Sequence, residues 1–230
     1  MKTISDGWEK SYQHLADISP KNFKEDHVIK HTITGMGKVY TKEMKKDRYN
    51  YFKQWVEPYI NEKEWKNIEG TMWKYMYYSY HISSLLENLT FSPKVLEIGP
   101  GFGGLARILF SFLEVETYVV VEHPIMMKFF RYFNNDKEVY HIMPEDIEYL
   151  NNTKFDILIS TLCLTEVPME FRDKVLNLLK NVNSCFIINV DDPPGLIEQM
   201  RSKIEQAGMV CSISPYLKYG AKIVKGLRDE

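Results

Sequence analysis

The spacing of hydrophobic residues changes once along this chain, close to residue 90. Before that point, apolar and aromatic side chains recur at helical spacing, most clearly from Thr71 to Leu89, which indicates amphipathic helices. Beyond it, short apolar runs typical of strands alternate with helical segments. The pattern therefore predicts a helical N-terminal extension over residues 1–90 and a second domain over residues 91–230.

The second domain alternates between strands and helices until its last two strands. The predicted strands are Val95–Ile98, Thr117–Val121, Val139–Met143, Phe155–Ser160, Cys185–Val190, Met209–Pro215 and Ala221–Leu227. The predicted helices are Leu105–Leu113, Ile125–Phe133, Phe171–Leu179 and Gly195–Ala207. The first five strands are apolar on both faces, so we expect helices on both sides of a parallel sheet.

The last two predicted strands break this alternation. Only Leu217 to Gly220 separates them, which is too short for a helical crossover and predicts an antiparallel hairpin. The expected fold class is therefore α/β, with a doubly wound, mostly parallel sheet of seven strands that ends in an antiparallel pair.

Composition and charge limit the class of protein. The chain has 230 residues, 44% hydrophobic and 26% charged, as in ordinary globular proteins. Its formal net charge of −2 gives no long-range attraction to nucleic acid or to an anionic membrane. Cys163, Cys185 and Cys211 lie in apolar runs, which predicts buried thiols in a reducing compartment. No signal-like segment or membrane-spanning run is present, so the expected location is the cytoplasm.

The candidate chemistry begins with a glycine turn, which we define as residues 99–103. It follows the first predicted strand and contains Gly99, Gly101 and Gly103, and a helix follows directly. Glycines let backbone N–H groups approach a ligand closely, and the start of a helix adds the positive end of its dipole. The segment therefore predicts a cradle for a nucleotide-like ligand.

Two acidic residues flank this turn in the predicted sheet. Glu97 lies near the end of an apolar strand, and its buried carboxylate needs a partner, either a ligand ammonium or backbone N–H groups of the glycine turn. Glu122 ends the second strand, where a carboxylate can accept hydrogen bonds from two ribose hydroxyls. The alternative for Glu122 is a solvated loop residue.

The Glu97–Gly103 segment, Glu122 and the terminal hairpin together resemble the class I S-adenosylmethionine-dependent methyltransferases, over residues 93–230. The resemblance implies a Rossmann-like fold and S-adenosylmethionine as the cofactor. It also implies that the glycine turn wraps the methionine part of this cofactor and that Glu122 holds its ribose.

The resemblance implies further cofactor contacts after the third and fourth strands. An acidic residue near the adenine corresponds to either Glu145 or Asp146, and the other member of the pair would cap a helix. Ser160 and Thr161, at the end of the fourth strand, correspond to positions that contact the cofactor.

A narrower resemblance is to bacterial sugar O-methyltransferases. It rests on three segments, Glu97–Ala106, Val120–Pro124 and Leu164–Pro168, although Glu122 stands where that group usually has Asp. This resemblance implies a carbohydrate or sugar nucleotide as the methyl acceptor. A sugar hydroxyl is a poor nucleophile at neutral pH, so a general base would assist the transfer. The candidate bases at the predicted strand ends are His123, Glu166, Asp191 and Asp192.

The adjacent carboxylates of Asp191 and Asp192 allow two interpretations. They could hold Mg²⁺ and so orient two acceptor hydroxyls. The favoured interpretation is that one caps the next helix while the other is solvated, because no third ligand is evident, and no metal site is predicted.

The N-terminal extension is expected to cover the cofactor cleft as a lid. Its candidate substrate-binding residues are Tyr75, Tyr78, Tyr80 and His81, with packing in the core as the alternative for each tyrosine. The expected partner is a small-molecule acceptor, with neither nucleic acid nor membrane, and a homodimer is left open. The competing functions are an NAD-dependent oxidoreductase, a non-catalytic module that kept the fold, and a methyltransferase with a different acceptor.

Overall fold

The computed structural model describes residues 92–110, 113–216 and 220–228, together with residues 12, 13, 15, 16, 19, 78, 81, 82 and 84–86. Most of the predicted extension over residues 1–90, including Tyr75 and Tyr80, therefore lies outside the described residues. Its described positions other than residue 19 are helical.

Seven strands form one sheet. They are β1 (Lys94–Ile98), β2 (Thr117–Val121), β3 (Tyr140–Ile142), β4 (Phe155–Thr161), β5 (Val182–Asn189), β6 (Met209–Pro215) and β7 (Lys222–Arg228). Their order is β3-β2-β1-β4-β5-β7-β6. The first five strands pair in parallel, whereas β7 is antiparallel to both β5 and β6. The predicted seven-stranded sheet and its terminal hairpin are confirmed.

From Lys94 onward, the described part of the chain has four α-helices beside the sheet. They are α1 (Gly104–Leu109), α2 (Pro124–Phe133), α3 (Met169–Asn177) and α4 (Leu196–Gln206). Two 3₁₀ helices were not predicted as separate elements, at Pro144–Asn152 and Leu178–Asn181. Among the residues that the structure describes, no helix is long and apolar enough to cross a membrane.

Strand β5 is longer than predicted, because polar residues at its start lack the apolar pattern of a buried strand. The prediction began this strand at Cys185, but it begins at Val182, so it includes Asn183 and Ser184. The Ser184 hydroxyl donates to the carbonyl of Asp156 on β4 at 2.9 Å. A polar side chain that is satisfied across the sheet lengthens the strand without an apolar signal.

Successive strand residues face two separate cores. On β1, Leu96 and Ile98 face one core with α3, α4 and the 3₁₀ helix Pro144–Asn152. Val95 faces the other core with α1, α2 and part of the described N-terminal region. Tyr78, Ile82, Leu85 and Leu86 belong to this second core. Both faces of the central strands are thus covered, as their uniformly apolar sequences predict.

The strand order determines where a ligand can bind. Strand β1 lies between β2 and β4. From β1 the chain proceeds to β2 and β3 on one side of the sheet, and it then crosses over to β4 and β5 on the other side of β1. In open α/β sheets, such a reversal leaves a crevice beyond the carboxyl ends of the strands. The glycine turn follows β1 and therefore lies in this crevice, between the segments that follow β2 and β4.

Candidate functional site

The glycine turn has left-handed backbone conformations at its three glycines. Gly99, Gly101 and Gly103 have φ values of 68°, 59° and 77°. The Gly99 N–H donates to the carbonyl of Val121 on β2 at 3.0 Å, and the Gly103 N–H donates to the Pro100 carbonyl at 3.0 Å. These bonds turn the chain sharply from β1 into α1.

Two of these glycines are also required by crowding. A Cβ on Gly99 would lie 2.6 Å from the Sγ of Cys163, and one on Gly103 would lie 2.5 Å from both Phe130 and Asn134. A Cβ on Gly101 would meet nothing within 4 Å. Gly101 therefore faces open space at the crevice, whereas Gly99 and Gly103 are packed against other side chains of the protein.

Glu122 lies directly beside this open position. Its side chain is only 7% exposed, and its two oxygens accept N–H bonds from Gly101 at 2.9 Å and His123 at 2.7 Å. Burial raises the pKa of Glu122 to about 7, although these two hydrogen bonds oppose the shift. A carboxylate has about four acceptor sites. Glu122 therefore has capacity to accept further hydrogen bonds from a ligand.

Glu97 has a partner that the sequence analysis did not name. Its side chain is 2% exposed, and it accepts a hydrogen bond of 2.6 Å from the hydroxyl of Tyr118 on β2. Burial raises the pKa of Glu97 to about 7; the Tyr118 hydrogen bond opposes the rise, and the charge of Glu122 adds to it. The observed partner is thus a phenol on the neighbouring strand rather than the backbone of the glycine turn.

His123 connects Glu122 to the start of α2. Its Nδ1 accepts a hydrogen bond from the Ile125 N–H at 3.3 Å and so caps the helix. This assigns the ring proton to Nε2, which leaves neither nitrogen able to accept a proton while the cap is intact. Burial lowers the pKa of His123, and the charge of Glu145 opposes the shift. The predicted role of His123 as a base would require this cap to break.

The two acidic residues after β3 differ in position. Glu145 is exposed and Asp146 is half-buried, both in the first turn of the 3₁₀ helix Pro144–Asn152. No side chain caps this helix. Glu145 is the member of the pair whose charge acts on His123. The adenine contact of either residue stays a prediction.

The end of β4 contains a buried hydroxyl with no partner. Ser160 is fully buried, and its Oγ has no hydrogen-bond partner among the described residues. Thr161 is half-buried. The following residue, Leu162, has a φ of 62°, which is rare for a side chain of this size, and its N–H donates to the Ile188 carbonyl at 2.7 Å. The backbone turns away from the sheet at this point.

A buried arginine that the sequence analysis missed supports the loop after β4. Arg172 on α3 is 5% exposed, and its Nε donates to the Leu164 carbonyl at 2.7 Å. Its Nη2 donates to the Val167 carbonyl at 3.2 Å. Glu166 lies between these two carbonyls in sequence and is exposed. No sequence pattern indicates this role, because a charged residue in an amphipathic helix is typical of its solvated face.

The two carboxylates after β5 have separate surroundings. An oxygen of Asp191 accepts a hydrogen bond from the Ile197 N–H at 2.9 Å, at the start of α4. Asp192 is exposed, and its charge acts on Arg172. This is the arrangement of one helix cap and one solvated carboxylate. Within the described part of the chain, no group of three or more His, Cys, Asp or Glu side chains could hold a metal ion.

The described candidates from the N-terminal extension lie in or beside the core. Tyr78 is fully buried, and its hydroxyl donates to the Tyr216 hydroxyl at 3.0 Å. The ring of His81 packs on Phe186 with centroids 6.0 Å apart, and its Nδ1 lies 3.2 Å from Nζ of Lys225. Burial lowers the pKa of His81 to about 4, and Lys225 adds to the shift. These are packing contacts, and a substrate role for Tyr78 and His81 stays a prediction.

A tyrosine outside the predicted set does reach the crevice. The ring of Tyr12 stacks on His123 with centroids 4.5 Å apart and an interplanar angle of 17°. Burial raises the pKa of Tyr12, and the charges of Glu122, Cys163 and Glu166 add to the rise. Tyr12 therefore lies near the segments after both β2 and β4. Nothing in its sequence surroundings distinguishes it from other aromatic residues of the extension.

Comparisons with known proteins identify relatives of the fold only. Neither a scan against protein-family models nor a search of curated proteins finds a match. Solved structures do match. The magnesium protoporphyrin IX methyltransferase of Synechocystis, with bound S-adenosylmethionine, aligns with a TM-score of 0.55 at 13% identity, over 93% of this chain and 99% of that one.

A second solved structure, the precorrin-6y C5,15-methyltransferase of Geobacter metallireducens, aligns with a TM-score of 0.51 at 11% identity. The alignment covers 66% of this chain and 87% of that chain. The chain therefore has the Rossmann-like fold found in these methyltransferases.

The crowding around the glycine turn predicts unequal effects of two matched substitutions. Gly101→Ala introduces a side chain at positive φ into open space, so we expect a loss of about 1 kcal/mol in the free energy of unfolding. Gly103→Ala adds a clash with Phe130 and Asn134, so we expect a loss of about 3 kcal/mol. Urea unfolding of both variants measures the difference, and equal losses would contradict the packing described here.

The raised pKa of Glu97 predicts a pH-dependent cost. Between the ordinary pKa of 4.5 and about 7, the folded protein holds a proton that the unfolded chain has released. The stability of the wild type should therefore fall as pH rises through this window. Glu97→Gln cannot ionise at this position. As pH rises through the window, its free energy of unfolding should therefore increase relative to that of the wild type by about 2–3 kcal/mol. Urea unfolding from about pH 5 to about pH 8 tests this, and parallel profiles would refute it.

Proposed function

We propose that this chain is an S-adenosylmethionine-dependent methyltransferase whose acceptor is a small hydroxylated molecule. The single observation that supports this most directly is the position of Glu122. Its buried carboxylate adjoins the open face of Gly101 and retains acceptor capacity toward the crevice. A pair of vicinal ribose hydroxyls matches this arrangement, because each hydroxyl can donate to one carboxylate oxygen.

The remaining residues around the crevice fit the same cofactor. The glycine turn allows close backbone approach at Gly101, and the buried Ser160 hydroxyl has no partner among the described residues. Glu97 supplies a second buried carboxyl group close enough for Glu122 to raise its pKa. When bound, S-adenosylmethionine supplies an activated methyl group on a positively charged sulfur. A negative charge on either carboxylate would favour binding of that cation.

The protein's part in methyl transfer is then positioning and exclusion of water. Holding the acceptor oxygen in line with the methyl group lowers the barrier by removing translational freedom. Glu166 and Asp192 are exposed, at the segments that follow β4 and β5, and can accept a hydroxyl proton. Asp191 is less suited to this task, since its carboxylate caps α4.

Two classes of acceptor are candidates. The sequence resemblance to sugar O-methyltransferases favours a sugar or sugar nucleotide, while the structural relatives described above are named for a porphyrin and a precorrin. Incubation with labelled S-adenosylmethionine and a panel of sugars, sugar nucleotides and tetrapyrroles, with and without EDTA, tests both acceptor class and metal dependence. A cytoplasmic location, a homodimer and the lack of a nucleic-acid partner stay predictions.

Substitution of Glu122 tests the cofactor assignment. Glu122→Gln removes the negative charge while keeping the size of the side chain, so we expect binding of S-adenosylhomocysteine to weaken about 100-fold. Glu116→Gln is the matched control, because Glu116 precedes the same strand at its other end and pairs with Lys94 on the surface. Isothermal titration calorimetry measures both. Unchanged affinity in Glu122→Gln, or tighter binding of NADH than of S-adenosylhomocysteine to the wild type, would overturn the assignment.

Asp191 and Asp192 provide a second matched pair. Asp192→Asn should leave S-adenosylhomocysteine affinity unchanged and lower turnover, because the exposed carboxylate follows β5 at the carboxyl edge of the sheet, where we place the acceptor. Asp191→Ala should mainly lower the free energy of unfolding, by about 1 kcal/mol, since it removes the oxygen that accepts the Ile197 N–H bond at the start of α4. Turnover with an acceptor found by the incubation panel, together with thermal unfolding, separates the two effects. Full turnover in Asp192→Asn would remove this residue from the acceptor site.

A further inference from the structure

The described N-terminal residues make two separate contacts with α2 and its cap. Tyr12 stacks on His123, as described above. One turn of helix further on, the carbonyls of Leu15 and Ala16 accept hydrogen bonds from the Lys128 ammonium at 2.6 Å and 2.8 Å. A lysine on helix carbonyls is a favourable interaction, because those groups form the negative end of the helix dipole. Together the contacts fix this segment over the start of α2.

The two ends of this segment have different surroundings. Leu15 is 1% exposed and provides the hydrophobic packing that attaches the segment. Tyr12 instead lies half-buried among ionisable groups, near Glu122, Cys163 and Glu166. Packing alone accounts for the burial of Leu15, but it does not account for a phenol placed among two carboxylates at the crevice.

The strand order locates this phenol more closely. Glu122 follows β2, Cys163 and Glu166 follow β4, and β1 lies between these two strands. A side chain that approaches all three residues must pass across the end of β1, where the glycine turn lies. Gly99 itself packs against Cys163, which is one of the three.

We propose that Tyr12 forms the outer wall of the cofactor site and contacts bound S-adenosylmethionine, and that Lys128 is the positioning residue that holds Tyr12 there. This inference rests on the proposed function. The contact is through the aromatic ring and a neutral hydroxyl, because burial, together with the nearby acidic groups, raises the pKa of the phenol and keeps it protonated. Tyr12 is therefore a binding residue and not a base.

Four variants of the full chain test the proposal, with S-adenosylhomocysteine as the probe. Tyr12→Ala should weaken binding about five- to tenfold, while Tyr12→Phe, which keeps the ring, should lose less. Lys128→Met should weaken binding although Lys128 lies outside the crevice, and Lys128→Arg should restore it. Lys137→Met is the matched control, since the Lys137 ammonium contacts Asp136 and should not affect binding.

The relation between the two residues is tested by a double substitution and by hydrogen exchange. If Lys128 acts through Tyr12, Tyr12→Ala/Lys128→Met should bind no more weakly than Tyr12→Ala alone. In the wild type, S-adenosylhomocysteine should slow amide exchange in the peptide containing residues 12–16, and Lys128→Met should abolish this protection. Thermal unfolding confirms that each variant is folded.

Distinct outcomes separate this inference from the proposed function. If the wild type does not bind S-adenosylhomocysteine, the proposed function fails. If the wild type binds and Tyr12→Ala binds equally well, only the role of Tyr12 is overturned. Tighter binding by Tyr12→Ala would also overturn it, because it would show that Tyr12 occupies the ligand's place. Additive losses in the double variant would overturn the positioning role of Lys128.

Discussion

The burial of the Glu122 carboxylate beside the glycine turn is the constraint on which the rest of the crevice depends. Removing an ionisable group from water is costly unless hydrogen bonds compensate, and here two backbone N–H groups do so. One of them belongs to Gly101, which can present its N–H only because the turn has positive φ values. The other belongs to His123, whose side chain starts α2. The turn, the carboxylate and the helix therefore stabilise one another.

Residues of neighbouring elements hold the glycine turn and the loop after β4 in place. Cys163 and Phe130 pack against Gly99 and Gly103, so the turn cannot relax into space left on either side. Arg172 holds the loop after β4 through two carbonyls, one on either side of the exposed Glu166 in sequence. Glu97 in β1 and Glu122 directly after β2 are thus attached to neighbouring strands of the sheet.

Burial raises the pKa values of two neighbouring carboxyl groups, Glu97 and Glu122, to about 7. Burial is the main cause of both shifts, and the charge of Glu122 further raises the pKa of Glu97. A cationic ligand would favour the ionised forms, so ligand binding and proton release are expected to be linked. The fold is shared with methyltransferases of different acceptors, and fold alone does not identify an acceptor.

The sequence by itself determined the sheet, because strand periodicity and the short connection before β7 leave few topologies for the chain. It also indicated the glycine turn, whose residues are contiguous, and Glu122, whose place at the end of the second strand follows from the strand pattern. Only the tertiary structure decided the partners that are distant in sequence. Tyr118 on Glu97 and Lys128 on the carbonyls of Leu15 and Ala16 are examples. Such contacts depend on strand register and on how separate segments pack, and no local pattern encodes either. That is why the residues of the turn and its two flanking carboxylates could be predicted, whereas Tyr118 and Lys128 could not.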